Sequence, residues 1–396
     1  MFQKEKINFT KLIYYFNQSF FYLTNNLNKM FPVYKPYLKK YKESAHKAIE
    51  SEWISNHGIY VDLAANELKN KIDCENCILM NNGTAATHCL FLALKYKYPN
   101  INKIYLPNNV FIAPYNCGLT EYPKEIFEIM KINNETLNID TDKEYIKSLE
   151  KNSAMVVVHN LGNIVNIPRI KRLRPDIIII EDNCEGIFGK YENNYTGSCK
   201  EVLATAVSFY GNKTITTGEG GAFFTNDKEV YDYIKNIYSH GMSEERYIHN
   251  YLGYNYRMTN LQAAFLYEQI KDIDHILSKK KEVFNNYYKY LNNLIEKNKI
   301  IIPKTEEKTK KSLWMFVIIL TGKQYKKIEI FMREKNIDIR PYFYPVSSHK
   351  HLKNIKNNYE TEFNKKITNH GMILPSYPEL SEVNIKYICY CLEECL

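Results

Sequence analysis

Apolar residues along the chain follow two spacings, one typical of helices and one typical of buried strands. They recur every three to four positions, as on one face of a helix, over residues 36–51, 63–71 and 84–95. Pro36 suits the first turn of a helix, because the N–H that proline lacks has no acceptor there. Short continuous apolar runs, which suit strands covered on both faces, occur at residues 104–106, 155–159, 177–180, 204–209 and 222–225. Alternating strands and helices predict an α/β fold with a mainly parallel sheet.

The pattern changes after residue 260. A long helical stretch runs to about residue 295, and it is followed by a strand at 315–320 and helices at 324–335 and 381–394. This order predicts a small C-terminal α+β domain after the large one. We therefore expect three parts: an N-terminal extension over residues 1–30, a large α/β domain over 31–265 and a small domain over 266–396.

Composition is that of an ordinary globular protein. The 396 residues, of which 45% are hydrophobic and 24% charged, are enough for two domains with sizeable cores. The formal net charge of +9 comes from scattered lysines. Basic charge alone is a weak indication of nucleic-acid binding, which we do not expect. The run Lys279, Lys280 and Lys281 has the pattern of a solvated helix face.

Nine cysteines raise the question of a metal site. Cys74 and Cys77 have zinc-site spacing, but no second such pair and no paired histidines follow at the required interval. Cys389, Cys391 and Cys395 lie in an apolar helical pattern without a histidine partner. We interpret all nine as reduced structural thiols, which fits a cytoplasmic protein, and we expect no metal.

The first 30 residues contain two apolar patches, at residues 12–16 and 20–23, with polar residues between them. No stretch reaches the ~18 apolar residues that a membrane helix needs. The polar interruption and the lack of a small-residue cleavage site argue against a signal peptide. We interpret the segment as an added amphipathic arm and expect no membrane association.

The most specific chemical signal is a carboxylate and a lysine placed after two buried strands. The apolar run 177–180 leads into Glu181 and Asp182, and Lys213 follows Asp182 by 31 residues in a turn rich in Ser, Gly and Thr. Open α/β sheets bind ligands at the carboxyl ends of their strands, where both side chains are expected. An acid that keeps a pyridine nitrogen protonated and an amine that forms a Schiff base are what pyridoxal phosphate (PLP) chemistry needs.

The residues around this lysine carry a resemblance to a known family. From Ser208 to Gly221 the sequence reads SFYGNKTITTGEGG, which resembles the active-site lysine segment of the DegT/DnrJ/EryC1/StrS sugar-nucleotide aminotransferases. Within that family it is most similar to perosamine and viosamine synthases, and the resemblance continues from about Phe31 to Tyr390. It implies a PLP-dependent transferase of fold type I, like aspartate aminotransferase, with Lys213 as the catalytic residue that holds the cofactor.

A glycine turn that opens a helix offers free amide groups to an anion. The segment from Asn82 to Ala86, NGTAA, has this form, and a helix capped by Thr84 or Asn82 explains it equally well. The resemblance implies that Gly83, Thr84 and Ala85 contact the cofactor phosphate.

The resemblance also implies contacts with the rest of the cofactor. Asp182 faces the pyridine nitrogen, where a carboxylate holds the proton on, and Ser208 binds the phosphate. Glu185 borders the cofactor and the sugar, at a position where family members carry Gln, His or Glu. Phe111 stacks on one face of the ring, although an aromatic residue just past an apolar run is more often part of the core.

A further block, GYNYRMT, implies a homodimer with shared active sites. By resemblance, its asparagine, Asn255, reaches the cofactor phosphate of the neighbouring subunit. Taken alone, the block is a turn before a helix that is capped at Thr259. Three other segments resemble those that shape the sugar-nucleotide pocket, which implies substrate contacts for Trp53, Ser55, His240, Arg340 and Tyr342.

Two features have a structural explanation as well as a functional one. His159, at the end of an apolar run, is equally consistent with a core histidine bonded to backbone and with a role beside the cofactor. The segment Gly218-Glu219-Gly220-Gly221 lacks the Gly-Lys-Ser/Thr of a phosphate-binding loop. We interpret it as the turn that leads the chain back into the sheet.

Together these observations predict a transaminase for glycan biosynthesis. It acts at C4 of a nucleotide-linked 4-keto-6-deoxyhexose, uses L-glutamate as amino donor and PLP as cofactor, and forms a 4-amino-4,6-dideoxy sugar of the perosamine or viosamine type. The alternatives are transamination at C3, a sugar 3-dehydratase of the same fold, and a catalytically silent scaffold or regulator. Lys213 argues against the dehydratases, which carry histidine there, and intact Asp182, Ser208 and Asn255 argue against a silent protein.

Overall fold

The computed structural model describes residues 30–396, and its centre is a seven-stranded sheet. In their order across the sheet, the strands are β1 (Asn76–Met80), β9 (Gly221–Thr225), β8 (Ala204–Ser208), β5 (Ile178–Asp182), β4 (Ser153–Val158), β2 (Lys103–Pro107) and β3 (Phe127–Met130). β9 pairs antiparallel with β1 and β8, and the other neighbours pair parallel. The sheet is therefore mainly parallel, as the sequence predicts.

The strand directions place several chain ends at one edge of this sheet. β1 and β8 are both antiparallel to β9, so they run in the same direction as the four remaining strands. In the register, Met80 and Ser208 both lie beside Gly221, and Asp182 lies between Val158 and Ala206. The carboxyl ends of β1, β8, β5 and β4 thus meet where sheets of this kind bind ligands.

Helices cover both faces of the sheet, because its strands are apolar on both sides. In β8, for example, Ala206 packs into one hydrophobic cluster with Phe91, and the next residue, Val207, packs into another with Leu68 and Leu266. The helices up to this point of the fold are α1 (Glu43–Glu50), α2 (Ile59–Ile72), α3 (Gly83–Lys97), α4 (Ala113–Glu121), α5 (Lys143–Ser148), α6 (Ile167–Leu173), α7 (Lys228–Ile237) and α8 (Asn260–Lys271).

The C-terminal part of the chain forms a second, antiparallel sheet with its own helices. Its strands, in spatial order, are β10 (Ile300–Ile301), β12 (Phe316–Leu320), β14 (Gly371–Leu374) and β13 (Arg340–Pro341). Its helices are α9 (Ile273–Glu296), α10 (Tyr325–Glu334), α11 (Glu362–His370) and α12 (Glu382–Cys395). A three-stranded sheet contains β11 (Thr309–Lys310), β6 (Lys190–Tyr191) and β7 (Asn194–Tyr195).

Helix α9 joins the two parts. Its first apolar residues, Ile273 and Ile276, belong to a cluster on the central sheet, and Phe284 and Leu291 belong to the cluster on the second sheet. The predicted boundary after residue 265 falls inside α8 and stays a prediction. At the other end, Phe31 bridges to Ile337, so the start of the described chain packs against the C-terminal part.

Two of the predicted helices have wrong boundaries, because contacts between distant segments decide where these helices begin and end. Residues 36–42 are not helical, and α1 begins at Glu43. The helix predicted over residues 260–295 is divided at Asp272, whose carboxylate accepts hydrogen bonds from Lys40 Nζ at 2.6 Å and Tyr41 Oη at 2.7 Å. The same contacts hold the non-helical segment before α1 in place.

Within residues 30–396, every helix is too short or too polar to span a bilayer. The predicted amphipathic arm lies almost entirely outside the described residues. All nine cysteines are free thiols, and the described residues contain no cluster of histidine, cysteine and acidic side chains arranged to hold a metal.

Candidate active site

The carboxyl edge of the central sheet borders a cavity of about 1270 Å³. This volume exceeds that of a typical single-ligand pocket, so it has room for a cofactor and a substrate together. Nine of the residues predicted from the sequence line it, namely Gly83, Thr84, Ala85, Phe111, Asp182, Glu185, Ser208, Lys213 and Arg340.

Lys213 lies in the turn between β8 and β9. At the base of this turn, the Phe209 N–H donates to the Gly220 carbonyl at 2.8 Å. Further along, the buried amide of Gln269 on α8 accepts from the Thr216 N–H at 3.0 Å and donates to the Thr216 carbonyl at 2.8 Å. The turn is therefore bonded to the sheet at its base and to α8 further along. The glycine-rich segment leads from it into β9, as predicted.

A tryptophan from the C-terminal part of the chain contacts this lysine. Lys213 Nζ lies 3.9 Å from the centre of the Trp314 ring, and the indole Nε1 donates to the Asn212 carbonyl at 2.8 Å. A cation over an aromatic face is stabilised by the ring electrons. Sequence reasoning missed Trp314, since it directly precedes the strand predicted at 315–320 and has the pattern of a core residue.

Asp182 ends β5 as a buried carboxylate that lines the cavity. Its side chain is 4% exposed, and Oδ1 accepts a hydrogen bond from the Cys184 N–H at 3.1 Å. Burial raises the pKa of Asp182, and the positive charge of Lys213 opposes this effect. A carboxylate buried in this way is stabilised by a cationic partner. The protonated pyridine nitrogen of PLP has that charge, so Asp182 fits this cofactor.

Glu185 is the second buried carboxyl group at the cavity. Its Oε2 accepts from the Leu161 N–H at 2.7 Å, and Leu161 has a left-handed φ of 51°, a conformation that non-glycine residues rarely adopt. Burial raises the pKa of Glu185 to about 7, against the effect of nearby Lys213. The raised pKa favours the protonated form of Glu185, which can donate a hydrogen bond.

The start of α3 fits a phosphate group. Asn82 Oδ1 accepts from the Ala85 N–H at 2.8 Å, so Asn82 is the helix cap and the Ala85 amide is engaged. The amides of Gly83 and Thr84 precede the first intrahelical bonds, and a helix N-terminus favours an anion. A Cβ on Gly83 would lie 2.5 Å from the Ser208 Cβ. Glycine thus lets the helix start and the Ser208 hydroxyl meet in one cradle.

Phe111 follows β2 and is 55% exposed at the cavity. Its ring centre lies 6.3 Å from that of Phe343, with the planes tilted by 59°. The structure therefore does not place Phe111 in the core, which was the alternative interpretation of its sequence pattern. An open aromatic face is what a flat cofactor ring can stack on.

Five predicted site residues do not line the cavity of a single chain, namely Trp53, Ser55, His240, Asn255 and Tyr342. The first four are exposed. The loop with Trp53 and Ser55 is fixed to the start of α8, because Asn260 donates from Nδ2 to the Trp53 carbonyl at 2.6 Å and from its N–H to the Ser55 carbonyl at 2.5 Å.

Tyr342 is different, because the structure contradicts its predicted substrate contact. It is 2% exposed, and its hydroxyl is 2.6 Å from Asn160 Nδ2, which donates to it. The Tyr342 N–H donates to the Gly371 carbonyl at 3.1 Å and its ring packs in a hydrophobic cluster, whereas the following residue, Phe343, lines the cavity. Adjacent positions of an extended segment face opposite ways, so a shift of one residue separates the prediction from the structure.

Sequence reasoning also missed one wall of the cavity. On α3, His88 Nδ1 lies 3.0 Å from Tyr256 Oη, and His88 Nε2 lies 3.0 Å from Glu121 Oε1. Tyr256 stacks on Tyr254 with 4.8 Å between ring centres. These four residues line the cavity together. Nothing in the local spacing marks them, because they come from three separate segments.

His159 is a core residue. It is fully buried, Nδ1 accepts from the Val165 N–H at 3.1 Å, and Nε2 lies 2.8 Å from Glu181 Oε1. Since Nδ1 accepts, the ring proton is on Nε2 and is donated to the carboxylate. Of the two interpretations of His159, the structure shows the core one.

The comparison with known proteins identifies the family of the chain. The model of the DegT/DnrJ/EryC1/StrS aminotransferase family matches residues 38–393. The chain belongs to this family. It is a PLP-dependent sugar aminotransferase, so the predictions of family, enzyme class and cofactor are confirmed.

Two relatives match nearly the whole chain. The GDP-perosamine synthase of Escherichia coli O157:H7 is 31% identical over 372 residues, which span 92% of this chain and 98% of that protein. The GDP-perosamine synthase of Vibrio cholerae is 28% identical over 371 residues, with the same coverage of 92% and 98%.

Solved structures confirm the predicted fold class. Helicobacter pylori PseC, an aminotransferase involved in the biosynthesis of pseudaminic acid, has a TM-score of 0.82 at 21% identity and covers 93% of this chain and 99% of its own. The E. coli GDP-4-keto-6-deoxy-D-mannose-3-dehydratase with bound hydrated PLP also has a TM-score of 0.82, at 19% identity, with coverage of 92% and 100%. At these identities the likeness shows the fold.

We predict that Gly83→Ala weakens cofactor binding. The new methyl group would lie 2.5 Å from the Ser208 Cβ, so the helix start must move away from the strand end. We expect the dissociation constant for PLP to rise by about tenfold or more, measured by titrating the apoenzyme and following the absorbance of the bound cofactor. Gly322→Ala is the control, because nothing lies within 4 Å of a Cβ there. Unchanged affinity in Gly83→Ala would contradict the cradle.

Proposed function

We propose that the chain transfers an amino group from L-glutamate to C4 of a nucleotide-linked 4-keto-6-deoxyhexose, for glycan biosynthesis. The product is a 4-amino-4,6-dideoxy sugar nucleotide of the perosamine or viosamine type. The observation that carries the proposal is that the amine of Lys213, the buried carboxylate of Asp182 and the N-terminus of α3 open on one cavity. The choice of sugar is supported by two similar GDP-perosamine synthases, at 31% and 28% identity.

The described residues supply a holder for each part of the cofactor. The amides of Gly83 and Thr84 and the hydroxyl of Ser208 hold the phosphate, beside Ala85, which lines the cavity with its amide engaged by the cap. Asp182 pairs with the pyridine nitrogen, and Phe111 covers one face of the ring. When bound, PLP supplies an aldehyde that condenses with amines and a ring that accepts electrons.

Lys213 does the proton chemistry in this proposal. Its amine is the attachment point for the cofactor and, once released, the base that takes the proton from Cα of glutamate. In the second half of the cycle the same amine delivers a proton to C4 of the sugar. Its contact with the Trp314 ring at 3.9 Å orients the amine and limits its access to water. One base for both halves predicts ping-pong kinetics.

The two buried carboxyl groups have different roles in this proposal. Asp182 holds the proton on the pyridine nitrogen, which keeps the ring an electron acceptor. Glu185, with a pKa raised to about 7 by burial, borders the cofactor and the sugar. It is able to donate a hydrogen bond to a carbonyl or hydroxyl oxygen there, or to accept one.

The sugar nucleotide enters from the side of the second sheet. Arg340 lines the cavity with an exposed guanidinium, which is 3.4 Å from the Asp338 carboxylate. It is suited to a diphosphate or to the carboxylate of glutamate. In this proposal residues 31–265 hold the cofactor, and residues 266–396 supply Arg340.

The proposal includes a homodimer with shared active sites. Asn255 is exposed, and its backbone carbonyl accepts from Asn81 Nδ2 at 3.2 Å, beside the start of α3. Because Asn255 does not line the cavity of its own chain, we assign its side chain to the phosphate of the neighbouring subunit. Trp53, Ser55 and His240 are exposed as well, and we assign them to the substrate across the same interface.

We predict that Lys213→Ala abolishes transamination and leaves a folded protein, because no other amine takes its place. The assay uses glutamate with the GDP, UDP and dTDP forms of the 4-keto-6-deoxysugar, and it also identifies the nucleotide. Lys281→Ala, at an exposed lysine, is the control for a change of charge. Substantial turnover by Lys213→Ala without an added amine would show that another residue is the base. A wild-type protein that neither binds PLP nor responds to glutamate would instead favour the scaffold.

We predict that Asp182→Asn keeps the fold and slows turnover by about 100-fold or more, the scale of losing a group that controls a proton. An amide has nearly the same shape but does not hold the pyridine proton. The measurement is kcat with glutamate and the preferred sugar nucleotide. Asp274→Asn is the control, since the Asp274 side chain is 83% exposed. Near-normal kcat in Asp182→Asn would mean that a different residue faces the nitrogen.

The shared site predicts complementation between two inactive variants. Lys213→Ala removes the base, and Asn255→Asp places a carboxylate against the phosphate and repels it. In a heterodimer, one site carries both defects and the other has an intact Lys213 and an intact Asn255 from the two chains. We expect mixed and exchanged subunits to recover close to one working site per heterodimer, measured as turnover. If verified heterodimers stay inactive, Asn255 acts within its own chain.

A further inference from the structure

The buried face of α9 contains a lysine. The sequence pattern predicts a solvated surface for Lys279, Lys280 and Lys281, and this is wrong for Lys280, which is 3% exposed, whereas Lys281 is exposed. Lys280 Nζ donates to the Trp314 carbonyl at 2.6 Å and to the Ser376 carbonyl. Burial lowers the pKa of Lys280 to about 7. The proposed reaction makes no use of this buried amine.

The carbonyl that Lys280 holds belongs to the residue that contacts the catalytic lysine. The Trp314 indole donates to the Asn212 carbonyl at 2.8 Å, and its ring centre is 3.9 Å from Lys213 Nζ. Trp314 is thus bonded at its backbone to α9 and at its side chain to the turn with Lys213. A continuous set of contacts connects Lys280 with Lys213.

The second acceptor of Lys280, the Ser376 carbonyl, belongs to a segment that is bonded to the strand after Trp314. Ser376 follows β14, and its hydroxyl accepts from the Phe316 N–H at 2.9 Å and donates to the Leu374 carbonyl at 2.6 Å. Phe316 is two residues beyond Trp314 and starts β12. Lys280 therefore binds two segments that are already joined to each other, so its amino group determines how far the Trp314 backbone lies from α9.

We propose that Lys280 is a positioning residue for the transamination, which holds the Trp314 backbone so that the indole packs against Lys213. An apolar side chain of similar length would fill the same space but leave two buried carbonyls without a donor. The Trp314 backbone would then shift, and the indole with it. A small displacement next to a reacting group has a large effect on rate. This inference rests on the proposed role of Lys213.

The same helix offers a matched control. Tyr287 lies two turns after Lys280 on the buried face of α9, and its hydroxyl donates to the Pro375 carbonyl at 2.8 Å. Tyr287→Phe removes one buried hydrogen bond to the segment next to Ser376 and leaves the contacts of Trp314 intact. It reports what a loss of stability alone does to the enzyme. Lys281→Met controls for the loss of a positive charge on this helix.

The test combines a spectroscopic measurement with kinetics on the cofactor-loaded enzyme. The chain has two tryptophans, so in a Trp53→Phe background the fluorescence reports on Trp314 alone. We expect Lys280→Met to shift the Trp314 emission to longer wavelength and to increase its quenching by acrylamide. In the chain with Trp53 intact, we expect kcat to fall by about tenfold with a smaller change in the KM for glutamate. Tyr287→Phe and Lys281→Met should leave emission and kcat close to the parent values.

Two results with a folded variant would overturn the inference. One is an unchanged Trp314 emission in Lys280→Met, and the other is an effect on emission and kcat no larger than that of Tyr287→Phe at an equal loss of Tm. If Lys280→Met does not fold, Lys280→Leu, which also lacks an N–H donor, is judged by the same criteria. If neither variant folds, Lys280 is required for folding and the positioning role is wrong. The emission does not depend on the chemistry of Lys213, so failure of this inference and failure of the proposed reaction are distinguishable.

Discussion

The insertion of β9 between β1 and β8 is the constraint on which the site depends. Because β9 runs against both neighbours, the chain must turn at the carboxyl edge after Ser208, and this turn places Lys213 beside Asp182. The packing is tight enough that a Cβ on Gly221 would lie 2.5 Å from the Asn82 carbonyl oxygen. The start of α3 and the turn with the lysine are therefore fixed to the same strand.

This edge also concentrates groups that are unfavourable to bury. Asp182 and Glu185 are each 4% exposed, and burial raises the pKa of both. Lys213 is close enough to favour their ionised forms. In the proposed binding mode, a protonated cofactor ring nitrogen would add a second positive charge next to Asp182 and so reduce the cost of burying that carboxylate. In that binding mode, PLP would stabilise the buried carboxylate that fits it.

The C-terminal part of the chain completes this arrangement from the other side of the cavity. It contributes Trp314, Arg340 and Phe343, and its core meets that of the central sheet along α9. Trp314 is bonded both to α9 and to the turn with Lys213, so it connects the core of the second sheet with that turn. The proposed role of Lys280 follows from these contacts.

The sequence by itself determined the alternation of strands and helices and the family, because these depend on local spacing and on contiguous motifs. Most of the site residues that it predicted line the cavity at the carboxyl edge of the central sheet. Only the tertiary structure decided the burial of Lys280, whose two carbonyl partners lie 34 and 96 residues away, and the contact of Trp314 with Lys213. It also decided that Phe343, and not Tyr342, lines the cavity. The spacing of apolar residues along a helix does not show which of its polar residues is buried. A buried lysine needs carbonyl acceptors, and these belong to distant segments that meet only when the chain folds.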